Sequence, residues 1–310
     1  MSDSPLSAAV TSSDERTASK FTNRLLVASA IVAVFTSLSA ADALGFAGMP
    51  VGWWLMPVAV GLAVAATDEL IRLFAKRGLL LPGMVLRPGV ALVVLAAMVR
   101  PLQGDAWPAA GMAVPALAHV AGLLVILAVA VIDYRPDRQA LQRLTSAFFV
   151  ASYLGLSLAC LVALRFVVQP AEGRPSILPL ASLVAVVKGG DIAAYVVGVL
   201  FGRSKMAPLL SPGKTWEGCI ASLVGSSVIG WLLLDQFAPD GLQGPLGGWM
   251  LYGPIVGLSG IVGDLGESLV KRELQAKDSG RVLGGLGGVL DMIDSMLVAA
   301  PVAWLLWAFR

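Results

Sequence analysis

The sequence predicts an all-α, polytopic integral membrane protein with about nine transmembrane helices and a cytoplasmic N-terminus. Three observations carry that expectation. Of 310 residues, 57% are hydrophobic and only 14% charged, against about 25% charged in soluble domains, and the mean hydropathy is +0.82. The apolar residues gather into runs near the roughly 20 residues that a helix needs to cross a bilayer. Lys and Arg concentrate in alternate connections, as the positive-inside rule requires.

Residues 1–24 are polar and Ser/Thr-rich and read as a flexible cytoplasmic tail. Nine apolar runs follow, at about 25–47, 50–67, 83–100, 109–132, 145–168, 177–201, 219–237, 249–266 and 287–308. The small residues of "SLSAADA" in the first run imitate a signal-peptidase site, but the run continues beyond the short core a signal peptide needs. Residues 25–175 form the N-terminal set of helices and 176–310 the region expected to carry chemistry.

With the N-terminus inside, the inner connections hold Arg16, Lys20 and Arg24; Arg72, Lys76 and Arg77; Arg135, Arg138 and Arg143; Arg203, Lys205 and Lys214; and Lys271, Arg272, Lys277 and Arg281. The outer ones hold Arg100, Arg174 and Arg310. That asymmetry places the C-terminus outside. A net charge of +2 gives no basis for binding nucleic acid. Cys160 and Cys219 lie in or beside apolar runs and read as small buried hydrophobes. His119 is the chain's one histidine, which excludes zinc sites built on paired histidines.

Charge returns in "ESLVKRELQAKDSGRVLGGLGGVLDMIDS", Glu267 to Ser295, with four basic and five acidic side chains between two apolar runs. At helical spacing Asp264, Glu267, Ser268 and Lys271 form one polar stripe, and Asp291 and Asp294 a second pair on the following helix. Carboxylates crowded in a partly dehydrated place repel one another, and a hard divalent cation relieves the repulsion. Oxygen ligands without thiol or imidazole suit magnesium, which shares its shell with phosphates. Glycines 284, 285, 287 and 288 let backbone N–H groups approach an anion at a helix N-terminus, or serve close helix packing. Upstream, "FGRSKMAPLLSPGKTWEG" is a cytoplasmic loop entering a helix, with Thr215 or Ser211 as cap and Lys214 as either a loop lysine or a phosphate partner. "VVKGGD" places Lys188 and Asp191 inside the sixth run, the pattern of a broken transporter helix.

These residues together resemble the phosphatidate cytidylyltransferase (CDP-diglyceride synthetase) family. Its C-terminal pattern, S-x-x-K-R-x4-K-D-x-G, a Gly-rich segment and D-x-x-D, is matched by Ser268, Lys271, Arg272, Lys277, Asp278 and Gly280, then Gly284–Gly288, then Asp291 and Asp294. "GDLGES", Gly263 to Ser268, fits as well, as do Asp191, Ala194, Tyr195, Gly198, Phe201, Gly202, Ser211, Pro212, Lys214, Thr215, Trp216, Glu217 and Gly218. "ELIRL", Glu69 to Leu73, is a faint earlier echo. Residues 180–300 carry the likeness, and the earlier helices share it only by hydropathy. Leu286 stands where the family has His, Met292 where it has Arg, Gly284 where Pro is common and Gly213 where Lys is frequent.

The resemblance implies a nucleotidyltransferase of phospholipid biosynthesis in the cytoplasmic membrane. It would join CTP to phosphatidate at the inner leaflet, giving CDP-diacylglycerol and pyrophosphate. It implies one or two cations, magnesium first, on Asp264 and Asp291, with Asp294, Glu267 and Asp191 as further ligands. Lys271, Arg272, Lys277 and Asp278 are the expected catalytic set; Lys214, Thr215, Glu217, Ser211, Gly287 and Gly288 are expected to bind substrate. Membrane lipids surround it, and a homodimer is the expected assembly. The departures leave room for another lipid phosphate or an inactive homologue, and a secondary transporter is the rival from a different class.

Overall fold

In this computed structural model the residues described are 29–99, 110–136, 139–169, 174–239, 241–276, 279–280 and 287–309. The tail, Lys277, Asp278, Arg281 and Leu286 lie outside them. Nine α-helices stand among the described residues. They are α1 Ser29–Ala43, α2 Met56–Lys76, α3 Gly83–Ala96, α4 Ala110–Ile132, α5 Ala140–Leu164, α6 Leu178–Phe201, α7 Trp216–Trp231, α8 Gly248–Glu273 and α9 Val289–Ala308. A π-helical turn, Leu232–Gln236, extends α7. Five of these, α4, α5, α6, α7 with its extension and α9, are long and apolar enough to cross a bilayer; α1 and α3 are shorter apolar helices. The fold is that of an all-α, multi-pass membrane protein.

Two helices run past the apolar boundary. The second run ends before Asp68, yet α2 continues through Asp68, Glu69 and Arg72 to Lys76. Helix α8 likewise carries on from residue 266 to Glu273. Charged residues with unbranched side chains are good helix formers, so the loss of hydropathy marks where chemistry begins, not where the helix ends. Helix α6 is continuous through Lys188, Gly189, Gly190 and Asp191. The break that "VVKGGD" suggests is absent, and with it the observation that favoured a transporter. Where a loop is expected between α6 and α7, a two-stranded ribbon forms: β3 Lys205–Ala207 pairs antiparallel with β4 Ser211–Thr215, Lys205 opposite Thr215 and Ala207 opposite Ser211. A second ribbon, β1 Val168–Gln169 with β2 Arg174–Pro175, joins α5 to α6.

Helix α9 is the axis of the bundle. It packs on α8, α5, α6 and α2, while α2 to α5 pack among themselves and α7 sits between α6 and α8. Leu290, Ile293, Leu297, Ala300 and Ala303 follow its helical spacing and are all buried. Toward its C-terminus Trp307 meets Tyr252 edge-on, ring centroids 6.2 Å apart, and the Tyr252 hydroxyl lies 2.9 Å from Ser182 Oγ. Between helices in lipid there is little hydrophobic drive, so association rests on close packing of small residues. Ala59, Ala63 and Ala66 on α2 and Ala147, Ala151 and Gly155 on α5 supply it.

The end of the bundle formed by the C-termini of α1 and α5 is locked by a buried ion pair. Arg165 Nε donates to Asp42 Oδ2 at 2.6 Å, and the two side chains are 4% and 0% exposed. Asp42 also accepts from Gly52 N at 2.7 Å, and Arg165 Nη1 donates to Pro175 O at 3.2 Å. Removing one partner of such a pair leaves the other charge unpaired, at about 3–5 kcal/mol. Asp42→Ala is therefore expected to lower the thermal unfolding temperature in detergent, with unchanged turnover per folded molecule. Adding Arg165→Met should recover part of the loss; a double variant no more stable than Asp42→Ala would show that the pair is not what matters there.

Candidate active site

The opposite end of the bundle is where α6 and α8 end, α7 and α9 begin, and the polar end of α2 arrives. Helices α8 and α9 cross there without side-chain spacing: a Cβ on Gly263 would lie 2.6 Å from the Asp294 carbonyl oxygen and 3.0 Å from Ser295 Cα. Neither backbone atom can yield, so only glycine permits the approach. That contact places Asp264, the next residue, beside Asp294.

One carboxylate oxygen each of Asp264, Glu267 and Asp294 lies within 4.8 Å of the other two. Among the described residues this is the group of acids close enough to share a cation. Glu267 is 1% exposed and neither of its oxygens has a directed hydrogen bond. Its partner is the Lys271 ammonium at 2.5 Å, one helical turn on, a charge contact without hydrogen-bond alignment. Lys271 does donate to Asp291 Oδ1, at 2.7 Å. Asp294 Oδ1 accepts from Ser295 N and Oγ at 2.5 and 2.9 Å. Ser295 Oγ is also 3.2 Å from Asp191 Oδ2, and Lys188 Nζ donates to that same oxygen at 3.3 Å. Asp191 thus borders the three-acid group and is not part of it.

Asp291 has another duty. Its Oδ2 accepts from Gly288 N at 2.6 Å and from Ser279 N and Oγ at 3.2 and 2.9 Å, capping the first turn of α9. The N–H of Gly288 is therefore donated within the chain. Gly287 adopts φ +98°, and a Cβ there would sit 2.6 Å from Asp291 Oδ2; its role is to let the chain turn beneath that carboxylate.

The ribbon delivers the second lysine. Lys214 on β4 brings its ammonium 2.7 Å from Asp264 Oδ2 with its side chain 19% exposed, yet off the hydrogen-bond line. An ammonium has three donors, and those of Lys214 make no directed bond to a described residue. Thr215 is the N-cap of α7, its Oγ1 accepting from Gly218 N at 3.1 Å. Glu217 accepts from Ser204 N at 3.2 and 3.3 Å, and Arg272 Nε donates to Leu210 O at 3.1 Å. These three, with Ser211 at the start of β4, hold the ribbon that carries Lys214 over the acids.

The arrangement shows one residue that spacing alone does not reveal. Glu69 on α2, 1% exposed, accepts from Val289 N and Leu290 N at 2.8 and 2.9 Å and from Ser279 Oγ at 3.1 Å. The signal was a carboxylate at the end of an apolar run inside the faint echo "ELIRL". Among the described residues, six carboxylates, of Glu69, Asp191, Asp264, Glu267, Asp291 and Asp294, face three lysines, Lys188, Lys214 and Lys271. Excess negative charge in apolar surroundings is costly, and a divalent cation fits the deficit and the oxygen donors.

The model of the cytidylyltransferase family matches residues 22–309. A phosphatidate cytidylyltransferase of Mycobacterium bovis is 32% identical over 265 residues, 81% of this chain and 79% of that protein. One from Brucella suis is 43% identical over 128 residues, 41% of this chain and 45% of that protein, so under half of the Brucella protein's length is spanned. One from Mycobacterium leprae is 38% identical over 169 residues, 54% of this chain and 51% of that protein.

Proposed function

Because the chain belongs to the cytidylyltransferase family, we propose that it transfers the cytidylyl group of CTP to phosphatidate, releasing pyrophosphate and forming CDP-diacylglycerol. One observation carries the reading: two lysines, Lys214 and Lys271, face a group of three mutually close carboxylates at one end of a membrane bundle. The relatives named as phosphatidate cytidylyltransferases point to the same substrates.

The lipid's phosphate monoester is a dianion near neutral pH and already a nucleophile, so the reaction needs no strong base. One of its oxygens forms a bond to the α-phosphorus of CTP, the bond from that phosphorus to the bridging oxygen breaks, and the electron pair leaves with pyrophosphate. The barrier is the approach of two anions. Asp264, Glu267 and Asp294 would hold the magnesium, which when bound offsets phosphate charge and polarises the P–O bonds. Lys214, paired in charge with Asp264, would turn its ammonium donors to phosphate oxygens, and Lys271 holds Glu267 against Asp291. Asp291 orders the start of α9 and the Gly287–Gly288 turn. Arg272 and Glu217 keep the ribbon closed. Lys277 and Asp278, expected in the catalytic set, lie outside the described residues.

The distribution of Lys and Arg supports a cytoplasmic position for this end of the bundle. CTP is then reached from the cytosol and the lipid phosphate from the inner leaflet. Purified full-length protein in detergent, given labelled CTP and phosphatidate, should form CDP-diacylglycerol and pyrophosphate with magnesium and lose that activity with EDTA. Phosphatidate is expected to outperform other lipid phosphates assayed beside it. Absence of product from phosphatidate across a full magnesium titration would refute the reading.

A further inference from the structure

Helix α2 contributes no member of the three-acid group, yet it grips both helices that do. Glu69 satisfies the first backbone N–H groups of α9, at Val289 and Leu290. About two turns further along, Arg77 Nη2 donates to the carbonyl of Glu273, the last residue of α8, at 2.7 Å. A helix N-terminus carries partial positive charge and a C-terminus partial negative charge. The acid on α2 and the base at its C-cap each meet the helix end of opposite sign. We propose that α2 is the positioning strut of this site. On this account Glu69 and Arg77 together set the separation of the α8 and α9 ends, and Glu69 thereby sets where Asp294 stands relative to Asp264 and Glu267.

The first N–H groups of a helix have no partner within it. Asp291 takes the one at Gly288, but those of Val289 and Leu290 both go to Glu69. Glu69 also accepts from Ser279 Oγ, which reaches Asp291 as well, so the two caps form one network. Gly288 and Gly280 have no side chain where one would collide with the Glu69 carboxylate; a Cβ on Gly280 would lie 2.6 Å from Glu69 Oε1. Space has been left for this acid from two directions. Without it the first turn of α9 loses two of its acceptors, and Asp294, one turn further in, shifts against an α8 that stays in place. Glu69 touches neither the three acids nor the ribbon; it acts through α9.

The inference rests on the three acids being the cation site, so its test includes a readout that does not. In full-length Glu69→Gln, amide exchange over the first turn of α9 is expected to accelerate about tenfold or more, with α5 unchanged. Turnover per folded molecule should fall about 10–100-fold, and the magnesium concentration for half-maximal activity should rise. Arg77→Met, at an exposed position, should shift the magnesium dependence in the same direction by less, and it decides the matter if Glu69→Gln does not fold. Asp42→Ala is the comparison for simple destabilisation. Should Glu69→Gln merely lower thermal stability, with wild-type exchange in α9 and wild-type magnesium dependence, the strut is overturned. Wild-type behaviour in Arg77→Met overturns the two-point version. If wild-type protein proves inactive on CTP and phosphatidate, the functional reading fails, while the exchange result still decides the strut.

Discussion

Replacing Asp264 with alanine is expected to cut magnesium-dependent formation of CDP-diacylglycerol about a thousandfold, about 4 kcal/mol of barrier. Its side chain is 38% exposed, so truncation opens no interior cavity and the bundle should survive. What disappears is one of three oxygens that lie within 4.8 Å of each other, together with the counter-charge of Lys214. Asp294→Ala should cause a loss of the same order, since its carboxylate closes the group from α9. Asp291→Ala should also lose activity, by a different route: the Gly288 and Ser279 donors lose their acceptor and the start of α9 loosens. Steady-state kinetics beside amide exchange separates the two, because only the Asp291 variant should show faster exchange at residues 288–290. Full turnover in both Asp264→Ala and Asp294→Ala would remove the three-acid group from the mechanism.

Lys271→Met should be the most damaging of the lysine variants. The ammonium lies 2.5 Å from Glu267 and 2.7 Å from Asp291, with its side chain only 16% exposed. Without it two carboxylates confront each other, one of them 1% exposed and lacking any directed hydrogen bond. Leaving a buried charge uncompensated costs about 3–5 kcal/mol, which a thermal melt in detergent would register as a large fall in unfolding temperature. Turnover should fall as well, because both acids are displaced. Combining Lys271→Met with Glu267→Leu removes both charges and should restore much of the stability while leaving turnover low. A single Lys271→Met variant as stable as wild type would mean that the ion pair does not hold the site together.

The two ends of the legible range are well separated. Asp264, Glu267 and Lys271 could be placed on one helical stripe from spacing, and α8 does carry them on one helix through Glu273. A hydroxyl ahead of an apolar helix offered Thr215 or Ser211 as the cap, and it is Thr215 whose Oγ1 accepts from Gly218 N. By contrast, pairing Asp264 with Asp291 followed from their positions in two motifs. The structure instead brings Asp294 to Asp264 and commits Asp291 to the α9 cap. Spacing within α9 says only that both aspartates share a face; which one meets α8 depends on how that helix is rotated. "VVKGGD" misleads for a related reason. Gly189 and Gly190 look like helix breakers, but a Cβ on Gly190 would lie 2.4 Å from Ser226 Oγ. The glycines exist to admit α7, and the helix passes through unbroken.

What the amino-acid sequence by itself determined is the set of apolar helices, the unequal sharing of Lys and Arg among their connections, and the segment in which charge collects. These are local quantities: insertion of each helix answers to a window of about 20 residues, and helical spacing answers to 3.6 residues per turn. Only the tertiary structure decided which acids stand together, that Lys214 crosses from the ribbon to Asp264, and that Glu69 caps a helix 220 positions away. Those facts depend on helix rotation and on backbone approach at Gly263 and Gly288. Both are settled by the packing of all neighbours at once, which no window of the sequence contains.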